Sequence, residues 1–154
     1  VRPDDGFAIT RPSPRWGVAR SGFMAKFADQ SCDLMLADLS QNAYLDVNRE
    51  LAVGDLGLFS KQVEDRYRQD DRQRPNGMRP RRRLRVAPAG QLERYEILLD
   101  TRVQRTWYTF LIRIVQSRDG GDAYIIRGWT EQSRFDAVQG DFRKAMDSFR
   151  LLDP

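Results

Sequence analysis

Nine arginines crowd into one stretch of this sequence: Arg66, Arg68, Arg72, Arg74, Arg79, Arg81, Arg82, Arg83 and Arg85. Only Asp70 and Asp71 lie among them, so the stretch 66–85 carries +7 in a chain of 154 residues whose net charge is +4. The remainder is therefore a mildly acidic body at −3 with one basic segment attached. The planar fork of arginine matches carboxylate and phosphate geometry. Arg79, Arg81, Arg82 and Arg83 are accordingly the candidate anion- or partner-binding residues, facing nucleic acid, an acidic lipid or an acidic protein. The plainer reading is a solvated, flexible loop between a helix and a strand, because Gln73 to Pro80 contains Arg-Pro-Asn-Gly and Arg-Pro. Tyr67 is the one aromatic residue in the segment, which offers little for stacking on the bases of a single strand.

Other chemistry is thinly supplied. The sequence has no histidine, which excludes Ser–His–Asp and Cys–His catalysis and any zinc site that needs imidazole. Carboxylate or lysine chemistry remains open, without the commonest general base. The single cysteine, Cys32, lies beside Leu34-Met35-Leu36 and reads as a small buried side chain. Asp29, Asp33, Asp38 and Asp46 match no ligand loop and read as turn and surface residues. The glycines are scattered and form no phosphate-cradling loop. No catalytic, metal or cofactor site is expected. Trp107 and Trp129 are the candidate interface aromatics. Both are read as alternating with the main core face, either packed under a helix on the second side of a sheet or exposed as anchors.

Several elements must position these residues. Phe7 with Ile9, Trp16 with Val18, the alternation Phe23, Ala25, Phe27, and Cys32 to Leu39 all read as short strands. Leu56, Phe59, Val63 and Tyr67 recur at spacings of three and four and predict a helix over Asp55–Gln69. Asp55 caps it, and Glu64 and Arg68 form a favourable i,i+4 pair. Leu84 and Val86 suggest a strand ended by Pro88 and Gly90. Next come three long alternating runs, around Tyr95–Val103, Trp107–Ile114 and Tyr124–Trp129. Gln104-Arg105 and Asp119-Gly120-Gly121-Asp122 turn the chain between them, which predicts an antiparallel meander. Phe135, Val138, Phe142, Met146 and Phe149 predict a closing amphipathic helix over Ser133–Phe149, interrupted by Gly140.

The length fits one domain spanning 1–154, and 40% hydrophobic with 31% charged residues is the balance of a folded protein. No apolar run approaches the roughly 18 residues of a membrane helix, and no signal peptide is evident. A start at Val1 without Met predicts a domain excised from, or processed out of, a longer protein.

The run Ala123-Tyr124-Ile125-Ile126-Arg127-Gly128-Trp129-Thr130, followed by Phe142 to Leu152 with its Ser148-Phe149-Arg150, resembles the C-terminal half of the PsbP-like family. That group takes in PsbP, the Ran-binding Mog proteins and DcrB-type lipoproteins. Gly6-Phe7-Ala8-Ile9-Thr10-Arg11-Pro12 and Trp16 resemble its opening strand and the entry to the next, whereas the arginine-rich stretch is not a family hallmark. The resemblance implies an α+β fold, with an antiparallel sheet flanked by helices in an α/β/α sandwich. It also implies a non-enzymatic role in protein binding or assembly, and an extracytoplasmic, secreted or lipoprotein-attached location. The alternative function is an anion- or nucleic-acid-binding module using residues 66–85, and a third is an enzyme using carboxylates or lysine.

Overall fold

The computed structural model of the chain describes residues 6–19, 32–73 and 77–152. Nine strands and two helices are placed in these residues: β1 (Phe7–Ala8), β2 (Gly17–Val18), β3 (Leu34–Asp38), β4 (Ala43–Glu50), α1 (Leu56–Gln73), β5 (Met78–Ala89), β6 (Leu92–Val103), β7 (Thr106–Ser117), β8 (Ala123–Glu131), α2 (Phe135–Asp147) and β9 (Arg150–Leu151). Seven strands form one antiparallel sheet in the order β2-β3-β4-β8-β7-β6-β5, and β1 pairs with β9 in a second, two-stranded sheet. The expected antiparallel meander is β6-β7-β8. Gln104 (φ 58°) turns its first hairpin, and Gly120 and Gly121 (φ 84° and 93°) turn its second in the left-handed region that glycine enters without strain.

The helices cover opposite faces because alternate residues of each strand point opposite ways. On one face Leu56, Phe59 and Val63 of α1 pack with Ile97, Leu99, Phe110, Ile112 and Ile114. The carboxylate of Asp55 caps this helix by accepting from the Leu58 amide at 2.8 Å. On the other face Val138, Phe142 and Met146 of α2 pack with Leu36, Leu45, Leu111 and Ile126. Phe7, Ile9 and Trp16 complete that layer. The Phe7 and Phe149 rings stack at 5.5 Å, and Trp16 Nε1 donates to Asp141 at 3.0 Å. Among the described residues no helix is long and apolar enough to cross a membrane.

Three expectations change. Strand β4, unanticipated in the sequence, sits inside the sheet between β3 and β8. The arginines at 79–83 are not in a loop: the strand expected at Leu84 and Val86 extends back through them as β5, the outermost strand, which pairs with β6 along its length. Its prolines are tolerated because the strand is at an edge and its register shifts between Pro80 and Arg82 and again between Val86 and Ala89. Trp129 does not alternate with the main core face of the meander. It stands directly across from Phe110, on the α1 side. The alternation at Phe23–Phe27 lies outside the described residues.

Candidate functional site

Strand β5 presents its arginines to both sides of the sheet edge. Arg82 pairs with Leu98, which faces α2, and Arg83 pairs with Ile97, which faces α1. On the α2 side Arg82 Nη2 meets Glu96 Oε1 at 2.9 Å, and Arg81 lies 3.7 Å from Asp100. On the α1 side Arg83 lies 3.6 Å from Glu64 and donates to Ser60 Oγ at 3.1 Å, and Arg85 is 3.4 Å from Glu93. These contacts tether the guanidinium groups without burying them. The side chains of Arg81, Arg82, Arg83 and Arg85 stay 34–60% exposed.

Glu96 anchors the α2 side. It is buried, and it accepts from Arg82, from Arg113 at 3.0 Å and from Arg143 of α2 at 2.9 Å. Burial by itself would raise its carboxyl pKa; the hydrogen bond from Arg113 and the charge of Arg143 outweigh that and hold it below the usual glutamate range. Arg113 also meets Asp147, so the network ties the helix to the sheet. The sequence carried no local sign of this hub, because its three arginines lie 14, 17 and 47 residues from Glu96.

The two tryptophans part company. Trp107 is half-buried near the same sheet edge, with the guanidinium carbon of Arg79 4.3 Å and that of Arg102 5.7 Å from its ring centre. Gly77 (φ 96°) passes so close that a Cβ there would stand 3.0 Å from the indole. Trp129 is 1% exposed and stacked between Phe110 and Tyr44, each 5.6 Å away, so it is a core side chain with no ring surface to offer a partner.

Of the four acids singled out in the N-terminal half, Asp33, Asp38 and Asp46 lie in the described residues, and two of them are deeply buried rather than at the surface. Asp46 is fully buried and takes the fork of Arg127 through Nε at 2.9 Å and Nη2 at 2.5 Å, and Tyr67 Oη lies 3.3 Å from Arg127. Asp38 caps a 3-10 turn. Burial would raise its pKa, but hydrogen bonds from Ser40 and Gln41 and the charge of Arg15 hold it low. Asp33 accepts from the Arg49 amide at 2.6 Å, and Asp29 lies outside the described residues. Cys32 is half-buried, and its burial raises the thiol pKa, which disfavours the nucleophilic thiolate. Among the described residues no group of three side chains could hold a metal ion.

No protein-family model and no curated protein matches the sequence. Solved structures match the fold. The cyanobacterial PsbP (CyanoP) of Synechocystis sp. PCC 6803 aligns with a TM-score of 0.69 at 17% identity, over 96% of this chain and 87% of that one. The Ran-binding protein Mog1p of Saccharomyces cerevisiae aligns at 0.59 and 11% identity, over 91% and 87%. LpqN of Mycobacterium tuberculosis, involved in cell envelope biogenesis, aligns at 0.60 and 8% identity, over 97% and 87%. The chain thus has the PsbP-like fold, an α+β architecture of a seven-stranded antiparallel sheet, a small second sheet and two helices.

Proposed function

We propose that this domain is a non-catalytic module that binds a protein partner through the arginine-bearing edge of its sheet, at Arg79, Arg81, Arg82 and Arg83, with Trp107 beside them. The observation that carries the reading is the row of tethered but exposed guanidinium groups along β5. Tethering reduces the side-chain entropy lost when a partner's carboxylate arrives, and exposure leaves donors for it. Support comes from the shared fold with a Ran-binding protein, and from a sequence without histidine. The likeness to LpqN, involved in cell envelope biogenesis, favours an extracytoplasmic site of action, which fractionation of the native cells tests.

A photo-cross-linking amino acid in place of Leu84, an exposed residue between Arg83 and Arg85, tests the reading in the native cell. The expected result is an adduct with a defined protein that is absent when the same group replaces Leu58 on the exposed side of α1. No adduct specific to Leu84, or an adduct with nucleic acid alone, would overturn it.

A further inference from the structure

β5 is an edge strand, and among the described residues nothing pairs with its outer side. Its middle is regular. From Arg82 to Val86 the register against β6 runs without a shift, between the irregularity at Pro80/Arg82 and the one at Val86/Ala89. None of these five residues is proline, so each keeps its backbone N–H. In an antiparallel ladder about half of those groups, with their carbonyls, point away from the paired neighbour. The edge is therefore a short template, closed off at both ends by Pro80 and Pro88.

Charge decides what can use it. A second copy laid against β5 would bring arginine beside arginine, and like charges across strands are destabilising. We propose that the occupant is an acidic, extended segment of another protein, which adds a strand to the outer edge of β5 along Arg82–Val86. This rests on the protein-binding reading above and specifies its mode. Its side chains alternate between the faces as those of β5 do: carboxylates on the α1 side meet Arg83 and Arg85, and on the α2 side a carboxylate meets Arg82 while an apolar residue covers Leu84, which is 39% exposed.

A nucleic acid fits less well. Its phosphates follow one continuous line, whereas these arginines divide between two faces of the sheet.

The experiment uses the isotopically labelled domain at low salt and a synthetic capped peptide of about nine residues, rich in glutamate with a central valine. One control is the same peptide N-methylated at alternate backbone amides, which keeps its charge but loses strand pairing. The other is an oligothymidylate of similar length. The expected results are peptide binding that weakens with salt, slowed hydrogen exchange at amides within 82–86, and a loss of at least about tenfold in affinity on N-methylation. Equal binding by the N-methylated peptide, no binding at low salt, or tighter binding by oligothymidylate would each overturn strand addition. A Leu84 adduct with a protein, alongside failed peptide arms, would leave the binding module standing with a partner held by side chains alone.

Discussion

The ring of Phe142 rests on the backbone of Gly128: a Cβ built on that glycine would stand 2.6 Å from two of the ring carbons. Gly128 lies on β8 between Leu45 and Leu111, its cross-strand partners, and α2 comes down onto the sheet at this point. The requirement is for space, since the backbone of this glycine is not in the left-handed region. Gly128→Ala should cost about 1–3 kcal/mol through overpacking, and Phe142→Ala about 3–5 kcal/mol through the cavity it leaves. Denaturant midpoints check both, and Gly128→Ala combined with Phe142→Leu should cost less than the sum of the single changes. An unchanged midpoint in Gly128→Ala would mean that α2 can lift away freely.

The pair of buried Asp46 and half-buried Arg127 gives a second test. Asp46→Ala removes the buried partner of a guanidinium that is itself 22% exposed and also bonded to Tyr67, and should cost about 2–4 kcal/mol by urea denaturation. Replacing both partners with apolar residues of similar volume should recover most of that loss. A single-variant cost below about 1 kcal/mol would show that the solvent already reaching Arg127 replaces its lost partner fully.

Glu96 sets a limb of the acid stability curve. Its folded pKa lies below the unfolded value of about 4.3, so in the interval between them the unfolded chain binds more protons and stability rises with pH. The contribution is complete above the unfolded value and is lost as pH falls through the folded one. Glu96→Gln should be less stable at pH 7 and should show a shallower fall in melting temperature below about pH 4.3. Parallel wild-type and variant curves across that interval would rule out the assignment.

Replacing Arg81, Arg82 and Arg83 together with alanine should leave the fold intact, at about 0.5 kcal/mol or less for each exposed side chain. Glu96 keeps Arg113 and Arg143, and the buried Asp100, which loses Arg81, keeps hydrogen bonds from Thr109 at 2.7 Å and Gln132 at 3.2 Å. Circular dichroism should be unchanged while the Leu84 adduct is lost. In the wild type, partner binding should weaken as salt shortens the screening length. A triple variant that still forms the adduct would place the binding surface elsewhere.

The two helices and the meander were legible because their apolar residues repeat at 3.6 and at 2. Leu56, Phe59 and Val63, and Val138, Phe142 and Met146, are all buried as that spacing requires. Strand β4 was not legible: Tyr44, Leu45 and Val47 are buried on both faces and Asp46 interrupts them, so no alternation shows. The buried aspartate is explained by Arg127, 81 residues away. In β5 the prolines and arginines are loop chemistry by composition. Only its position at the rim of a sheet makes them a strand, and position in a sheet is not a local property. The arginines could be named from the sequence, but the carboxylates that tether them could not.

The pairing of β1 with β9 has a bearing on how the two faces of the sheet are completed. Among the described residues, every buried residue of the α1-side core lies at or before Trp129, so that half takes nothing from α2 or β9. The opposite half waits for Phe135 to Phe149, and Phe7 finds its strand partner only with Leu151. Without α2, Leu36, Leu45, Leu111 and Ile126 would form a bare greasy surface. A chain cut short after Glu131 lacks that cover and should be sticky rather than merely incomplete.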